Sequence, residues 1–206
     1  MSAVTLTPAP PKPESARDRL DGYEVVVAVC GGVAAYKICT VVSRLVQAGA
    51  GVTVAMTRAA RRFVGPLTFQ SLTARRVFTS LWDAGHYHDP QHIRLTEAAD
   101  LFLIAPATAN IIGKIAAGIA DDLVTTMVMS ADCPVVLAPA MNTRMWENPI
   151  VQQNVSRLRQ CGYHIIPPGR GWLACRTIGP GRMAEPETIL EEITARLRSA
   201  PPKSQR

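Results

Sequence analysis

Three polar side chains and a series of small-residue loops carry the chemistry that this sequence could perform. Cys175 lies in GWLACRTIGPGRM (Gly171 to Met183), a stretch with no helical or strand period and with glycines at 171, 179 and 181. That spacing permits a flap that folds over a ligand and reopens. A thiol on such a flap suggests chemistry, since a packing cysteine normally sits in a strand or helix; an incidental surface thiol fits the residues equally. Asn142 follows Pro139-Ala140-Met141 at the end of an apolar run. Its amide can hold a carboxylate in one orientation without donating a proton to it, or it can cap the helix that follows. His92 precedes Ile93-Arg94-Leu95-Thr96 at a helix start, where an imidazole is either catalytic or an ordinary surface group. His86 and His88, in WDAGHYHDP, read as exposed loop residues, because no cysteine or acidic cluster completes a metal site. His164, in an apolar strand, reads as structural.

The loops share one origin, since each leaves the end of an apolar run. Cys30-Gly31-Gly32-Val33 joins a β-branched run to a helix start, where small residues let backbone N–H groups approach a phosphate, or simply permit a tight turn. The loop is not G-x-G-x-x-G, lacks the G-K-[ST] of a P-loop, and is followed by no ribose-binding acid after the second strand. That favours a mononucleotide over a dinucleotide or a nucleoside triphosphate. Thr57 and Arg58 could bind a phosphate or a flavin edge, or serve as a helix cap. In PATAN (Pro106 to Asn110), Thr108 and Asn110 stand at a strand end, and the Asn110 amide could cap the helix or read a flat heterocycle.

Positioning these groups requires strands that alternate with helices. Strands are expected at Val25–Val29, Val52–Met56, Leu101–Ala105, Val135–Ala138 and Tyr163–Ile166, and helices near 34–48, 109–118, 122–131, 148–160 and 186–198. The alternation implies an α/β fold, a Rossmann-like three-layer α/β/α sandwich on a parallel sheet. All the unusual loops then gather along its carboxyl edge, where ligands bind. Residues 1–21, with TPAPPKP, read as a disordered Pro-rich leader, 22–198 as one domain, and 199–206 as a disordered tail.

Composition narrows the function classes. Apolar residues at 48% and charged residues at 18% describe a soluble globular chain, and no apolar run is long enough to cross a bilayer. Five cysteines, without C-x-x-C spacing, imply reduced thiols in a cytoplasm, with no disulfide framework and no zinc. A formal charge of +6 with aromatics at 5% does not make a nucleic-acid surface but suits an anionic small molecule.

Six segments in this order resemble the homo-oligomeric flavin-containing cysteine decarboxylases: GGVAAYK, FVGPLTFQSLT, HIRL, ADLFLIAPATANIIGKIAAGIADDL, PAMNTRMWENP and LAC…GPGRMAEP. The similarity runs from about Val25 to Ile193. It is greatest to members that act on 4′-phosphopantothenoylcysteine in coenzyme A biosynthesis. The resemblance implies FMN as cofactor, bound by Gly31, Gly32, Val33, Thr57, Arg58, Ala59, Thr108, Ala109, Asn110, Ile111 and Ala140. It implies assembly as trimers, or as dodecamers of trimers. It makes His92 the active-site histidine, in an acid–base or an electrostatic role, and Asn142 the ligand of the substrate carboxylate. Met145, Trp172, Leu173 and Ala174 join Asn142 in holding the substrate, and Cys175 protonates the product. The reaction implied is oxidation of the substrate thiol to a thioaldehyde, loss of CO₂ toward the C=S electron sink, and re-reduction to 4′-phosphopantetheine.

Family members commonly carry glycine after the clamp cysteine, whereas this chain carries Arg176, which puts flap geometry in question. A peptidyl-cysteine decarboxylase would stop at the enethiol and would not need Cys175. A non-catalytic regulatory flavoprotein would usually lack the histidine or carry long acidic extensions. Many bacterial relatives join this domain to the synthetase that makes its substrate. With 206 residues, the expectation here is a separate phosphopantothenoylcysteine synthetase or a domain cut away from it.

Overall fold

Alternation along each strand decides which layer a residue joins. The computed structural model describes residues 19–82 and 91–205; the leader as far as residue 18, and His86 and His88, lie outside the described residues. β1 (Glu24–Val29), β2 (Gly51–Met56), β3 (Leu101–Ala107), β4 (Val135–Pro139) and β5 (His164–Ile165) form one parallel sheet in the order β2-β1-β3-β4-β5. Val25, Val27 and Val29 point into one core with Val54, Met56 and Leu103, while Val26, Ala28, Phe102 and Ile104 point into a second. A parallel sheet covered on both faces needs such near-continuous apolar strands; every residue of β3 is buried.

The first core is closed by α1 (Ala35–Gln47), α2 (Pro66–Thr73) and α8 (Pro186–Leu197). α3 (Gln91–Ala98), α4 (Ala109–Ala116), α5 (Leu123–Met129) and α7 (Pro149–Gln160) close the second. α1 shows why these helices dock. Ile38, Val41, Val42 and Leu45 form one stripe at helical spacing and are all fully buried, worth roughly 6–12 kcal/mol of gross burial before entropy is subtracted. The α/β/α sandwich expected from the sequence is the fold observed.

Two expectations are corrected by the structure. The flap is not periodless: β6 (Gly169–Trp172) and β7 (Ile178–Arg182) form an antiparallel hairpin with Cys175 in its turn. Its strand pattern is hidden because one face is built of glycines, which lie against the Arg182 and Thr143 side chains and the Met141 backbone. The segment from Ser199 to Gln205 is also placed, not loose. Tyr23 donates to the Ala200 carbonyl (2.9 Å), and buried Asp100 accepts from the amides of both Glu24 (2.8 Å) and Lys203 (2.6 Å). At the other end Leu20, assigned to the leader, is buried. The described part of the domain thus begins before residue 22 and continues past 198.

Candidate active site at the carboxyl edge of the sheet

The chain reverses its direction of travel across the sheet between β1 and β3, and a crevice opens where the loops leaving those strands diverge. This switch point is where open α/β sheets of the 2-1-3-4-5 order bind ligands. The β1 loop enters α1 on one face and the β3 loop enters α4 on the other. Gly31 packs on the β2 loop so closely that an added Cβ would fall 2.3 Å from the Ala59 Cβ. A Cβ at Gly32 would meet Pro106 at 3.7 Å and Thr108 at 3.8 Å, which is ordinary contact. Three of the expected loops therefore converge.

The structure resolves several open choices between ligand and cap. The Thr57 hydroxyl accepts from the Ala60 amide (3.2 Å) and the Thr108 hydroxyl from the Ile111 amide (3.3 Å), so both work as local caps. Ile111 is buried, and its side chain is committed to the core. Arg58, Ala59, Val33 and Asn110 remain exposed at the rim. α1 has no side-chain cap at Ala34 and no acid in its first turn, which leaves the positive end of its dipole without a carboxylate of its own. The loops 30–37, 57–62, 108–112 and 140–144 contain no Asp or Glu, while Arg58, Arg61, Arg62 and Arg144 stand among them. An uncapped helix start, small-residue walls and an acid-free basic rim fit an anionic planar cofactor such as FMN.

Beside this crevice, the Asn142 Oδ1 accepts from the Met145 amide (2.9 Å) and caps α6 (Thr143–Trp146). The cap reading is correct for the oxygen. It also orients the amide: Nδ2 makes no hydrogen bond among the described residues, so Asn142 presents donors, the half of the group that a carboxylate needs. Ala140 is tied to β3 by its amide bond to the Ala107 carbonyl (3.0 Å), and Met145 is exposed on α6.

The hairpin is anchored on this same loop. Met141 donates to the Gly181 carbonyl (2.9 Å), and the Thr143 hydroxyl donates to the Pro180 carbonyl (2.9 Å). Gly179 and Gly181 are required by the approach: a Cβ at Gly179 would fall 2.2 Å from the Thr143 Oγ1, and Gly181, at φ +114, would put one 2.4 Å from the Met141 oxygen. The opposite face carries the cross-strand pair Trp172 and Ile178, both largely exposed, while Leu173 is buried. The three clamp residues Trp172, Leu173 and Ala174 therefore do not share a face, and the Leu173 side chain is buried.

At the tip, the Arg176 amide donates to the Leu173 carbonyl (2.8 Å) and the Leu173 amide to the Thr177 carbonyl (2.9 Å). This is the three-residue hairpin loop whose last residue is left-handed. Arg176 holds that position at φ 62, which accounts physically for the usual glycine there. Cys175 is exposed, with Sγ 3.1 Å from the Thr177 Oγ1. It lies four residues beyond Gly179, roughly 10 Å or more out from the anchor. The structure thus unites Asn142 with the hairpin base and keeps Cys175 at its far end. His92 falls in the first turn of α3, and its side chain lies outside what is described. Burial pushes the thiols of Cys30 and Cys39 up, and that of Cys133 up to about 11, so these three serve as packing groups.

Sequence reasoning passed over Lys37, Arg182 and Glu185, which join α1 to the base of β7, although they lie inside GGVAAYK and GRMAEP. A cavity of about 590 Å³ opens elsewhere, toward the amino ends of β1 and β2, between Thr53, Arg75, Phe78 and Leu95. None of the expected site residues lines it. Among the described residues no helix is long and apolar enough to cross a membrane, and no group of three or more His, Cys, Asp or Glu could hold a metal ion.

The Flavoprotein family profile matches residues 13–198. The Coenzyme A biosynthesis bifunctional protein CoaBC of Bacillus subtilis (strain 168) is 49% identical over 172 residues, covering 84% of this chain and 42% of that protein. The chain thus spans less than half the length of the curated relatives it matches. A PPC decarboxylase mutant complexed with pantothenoylaminoethenethiol superposes with a TM-score of 0.76 at 33% identity, covering 84% of this chain and 97% of that one. The FMN-dependent cysteine decarboxylase SpaF superposes with a TM-score of 0.74 at 32% identity, covering 86% and 96%. A family profile that spans most of the chain, together with this extent of sequence identity, leads to one conclusion: the chain belongs to the Flavoprotein family.

Proposed function

We propose that the protein is an FMN-dependent decarboxylase that converts 4′-phosphopantothenoylcysteine to 4′-phosphopantetheine. The observation that carries this reading is a pairing on one sheet edge. An acid-free crevice at the β1/β3 switch lies beside an Asn142 amide whose oxygen is bound to backbone and whose donors are not. The relatives named above, a coenzyme A biosynthesis protein and a PPC decarboxylase, support the choice of substrate.

Gly31, Gly32, Val33, Thr57, Arg58, Ala59, Thr108, Ala109, Asn110, Ile111 and Ala140 would hold the cofactor, with Thr57, Thr108 and Ile111 shaping the loops that do so. Bound there, FMN supplies a reversible two-electron acceptor, so that decarboxylation proceeds with no net redox change. Asn142 orients the substrate carboxylate by its amide donors and gives it no proton, which leaves the carboxylate charged and able to depart as CO₂. Met145, Trp172, Leu173 and Ala174 cover the substrate, Leu173 by holding the turn that the others flank. Cys175 delivers the proton to the carbon that CO₂ has left. His92 supplies acid–base or electrostatic help.

Assembly as a homotrimer, or as a dodecamer of trimers, belongs to the same proposal and is tested by light scattering. A phosphopantothenoylcysteine synthetase, separate or joined, would supply the substrate. The test of the reaction is a visible spectrum of the purified protein, followed by CO₂ release and product mass with 4′-phosphopantothenoylcysteine. A protein that takes up no flavin, or that releases no CO₂ when loaded, overturns the reading. A product that stops at the enethiol would favour the peptidyl-cysteine decarboxylase type of chemistry.

A further inference from the structure

Glu185 occupies an unusual position for a residue at a helix start. It is the N-cap of α8, with Pro186 following, yet its side chain does not cap its own helix. It reaches across 148 positions of sequence to accept from Lys37 Nζ at 2.8 Å, while its other oxygen lies 2.6 Å from Arg182. Each oxygen takes one cation, and each cation belongs to a different part of the site.

Lys37 stands in the first turn of α1, where the positive end of the helix dipole disfavours a cation. Glu185 brings to that turn the carboxylate that α1 lacks, and its own carboxyl is held low chiefly by the hydrogen bond from Lys37. Lys37 is mostly buried while Glu185 is about half exposed, so the contact lies at the surface with its lysine end covered. Arg182 ends β7, and its side chain lies across the hairpin, close enough to Gly171 that an added Cβ would fall 3.0 Å from its Nη1. One carboxylate therefore holds both the helix that opens the crevice and the base of the hairpin that carries Cys175. Exposed ion pairs add little stability. The value of this one lies in geometry, since it joins the helix that follows the cofactor loop to the hairpin that covers the substrate.

We propose that Glu185 is a positioning residue that sets the Cys175 hairpin against the cofactor loop through Lys37 and Arg182. The kinetic part rests on the decarboxylase reading; the structural part does not. The test compares Glu185→Gln with Lys37→Gln, first by amide hydrogen exchange on the purified protein. We expect exchange at the Met141, Leu173 and Arg176 amides to rise by about two- to fivefold in both variants, the loss of one modest ion pair, with Val27 and Leu103 in the sheet unchanged. In the decarboxylation assay, kcat should fall while KM and the flavin spectrum stay near wild type. Adding Lys37→Gln to Glu185→Gln should then cost less than the two single effects combined, as for residues acting as one unit. Unchanged exchange at those three amides in both variants overturns the proposal whatever the kinetics. A uniform rise that includes the sheet also overturns it, because the pair would then be a general stabiliser. A wild-type protein that releases no CO₂ removes the decarboxylase reading and leaves the exchange result to decide this one.

Discussion

Substitution of Asn142 separates the two tasks that its amide performs, because the Oδ1 caps α6 while Nδ2 faces outward. Aspartate caps a helix as well as asparagine does, so Asn142→Asp keeps the bond to the Met145 amide and should melt within about 1 °C of wild type. It replaces two donors by an anionic oxygen. A lost hydrogen bond to a charged carboxylate costs about 1.5–3 kcal/mol. Like charges about 4 Å apart add roughly 1–4 kcal/mol between the limits of water and a protein surface. The sum, about 2.5–7 kcal/mol, amounts to a fall of roughly 10²–10⁵ in kcat/KM at about 1.36 kcal/mol per decade. Asn142→Ala loses the cap as well, about 1 kcal/mol, and should melt about 2–4 °C lower. The assay is CO₂ release against substrate concentration, paired with a thermal melt of each variant. If Asn142→Asp kept kcat/KM within about threefold of wild type, the carboxylate assignment would be wrong. If activity instead followed melting temperature across the series, the residue would be a cap and nothing more.

Cys175→Ser should still release CO₂ but yield a product two hydrogens lighter than 4′-phosphopantetheine by mass; recovery of the normal product alone would refute the proton-delivery role. Gly32→Ala should fold normally, since its Cβ meets Pro106 and Thr108 at ordinary distances. The methyl stands in the crevice, and an overpacking cost of about 1–3 kcal/mol predicts roughly 10- to 100-fold weaker flavin binding in a titration; undiminished affinity would place the flavin elsewhere. Arg176→Gly, at φ 62, should relieve about 1 kcal/mol at the hairpin turn and slow exchange of the Leu173 amide about fivefold; faster exchange would show that Arg176 holds the turn by contacts. His164 is held neutral, chiefly by burial and then by Arg196, whose guanidinium donates to Nδ1 (2.7 Å); Nε2 lies 3.1 Å from Glu192 without hydrogen-bond alignment. Its folded pKa is depressed, so the unfolded chain binds more protons as pH falls, and unfolding free energy should decline from about pH 6.5 downward. A denaturant series across pH should lose that component in His164→Gln, and an identical slope in the variant would refute it.

The sheet was legible because its physics is local. A β-branched run such as Val25–Val29 declares a strand buried on both faces, and the small-residue loops declare where the strands end. The expected residues at the crevice could be placed on one edge for that reason, and Gly31 does meet Ala59, and Gly32 meets Thr108. The hairpin was not legible. Its inner face is Gly171, Gly179 and Gly181, residues that in sequence argue against a strand; in space Gly179 and Gly181 fit over Met141–Thr143, and Gly171 lies under the Arg182 side chain. Nor was the order of the last residues legible. Lys203 is held by Asp100, 103 positions away, and neither residue is part of a local pattern. The link between Lys37 and Glu185 was hidden for the same reason.

Three breaks of local rules in this chain fall on parts that adjoin the candidate site. Lys37 sits at the wrong end of a helix dipole, Glu185 leaves its own helix uncapped, and Arg176 occupies a left-handed position suited to glycine. Each carries a small local cost, of the order of 1 kcal/mol. The first two costs offset one another through a single contact, since the misplaced cation and the uncommitted carboxylate meet. That contact spans from the α1 start, beside the crevice, to the hairpin base, and the hairpin base is in turn bonded to the loop bearing Asn142. A continuous set of bonds therefore runs from the cofactor loop through Glu185 and Arg182 to the substrate loop. The turn that holds Cys175 joins that set through the hairpin's own bonds, the last two at Leu173 and Arg176. The hairpin base is thus tied on two sides, and those ties set where its turn, and the thiol on it, stand relative to the substrate loop.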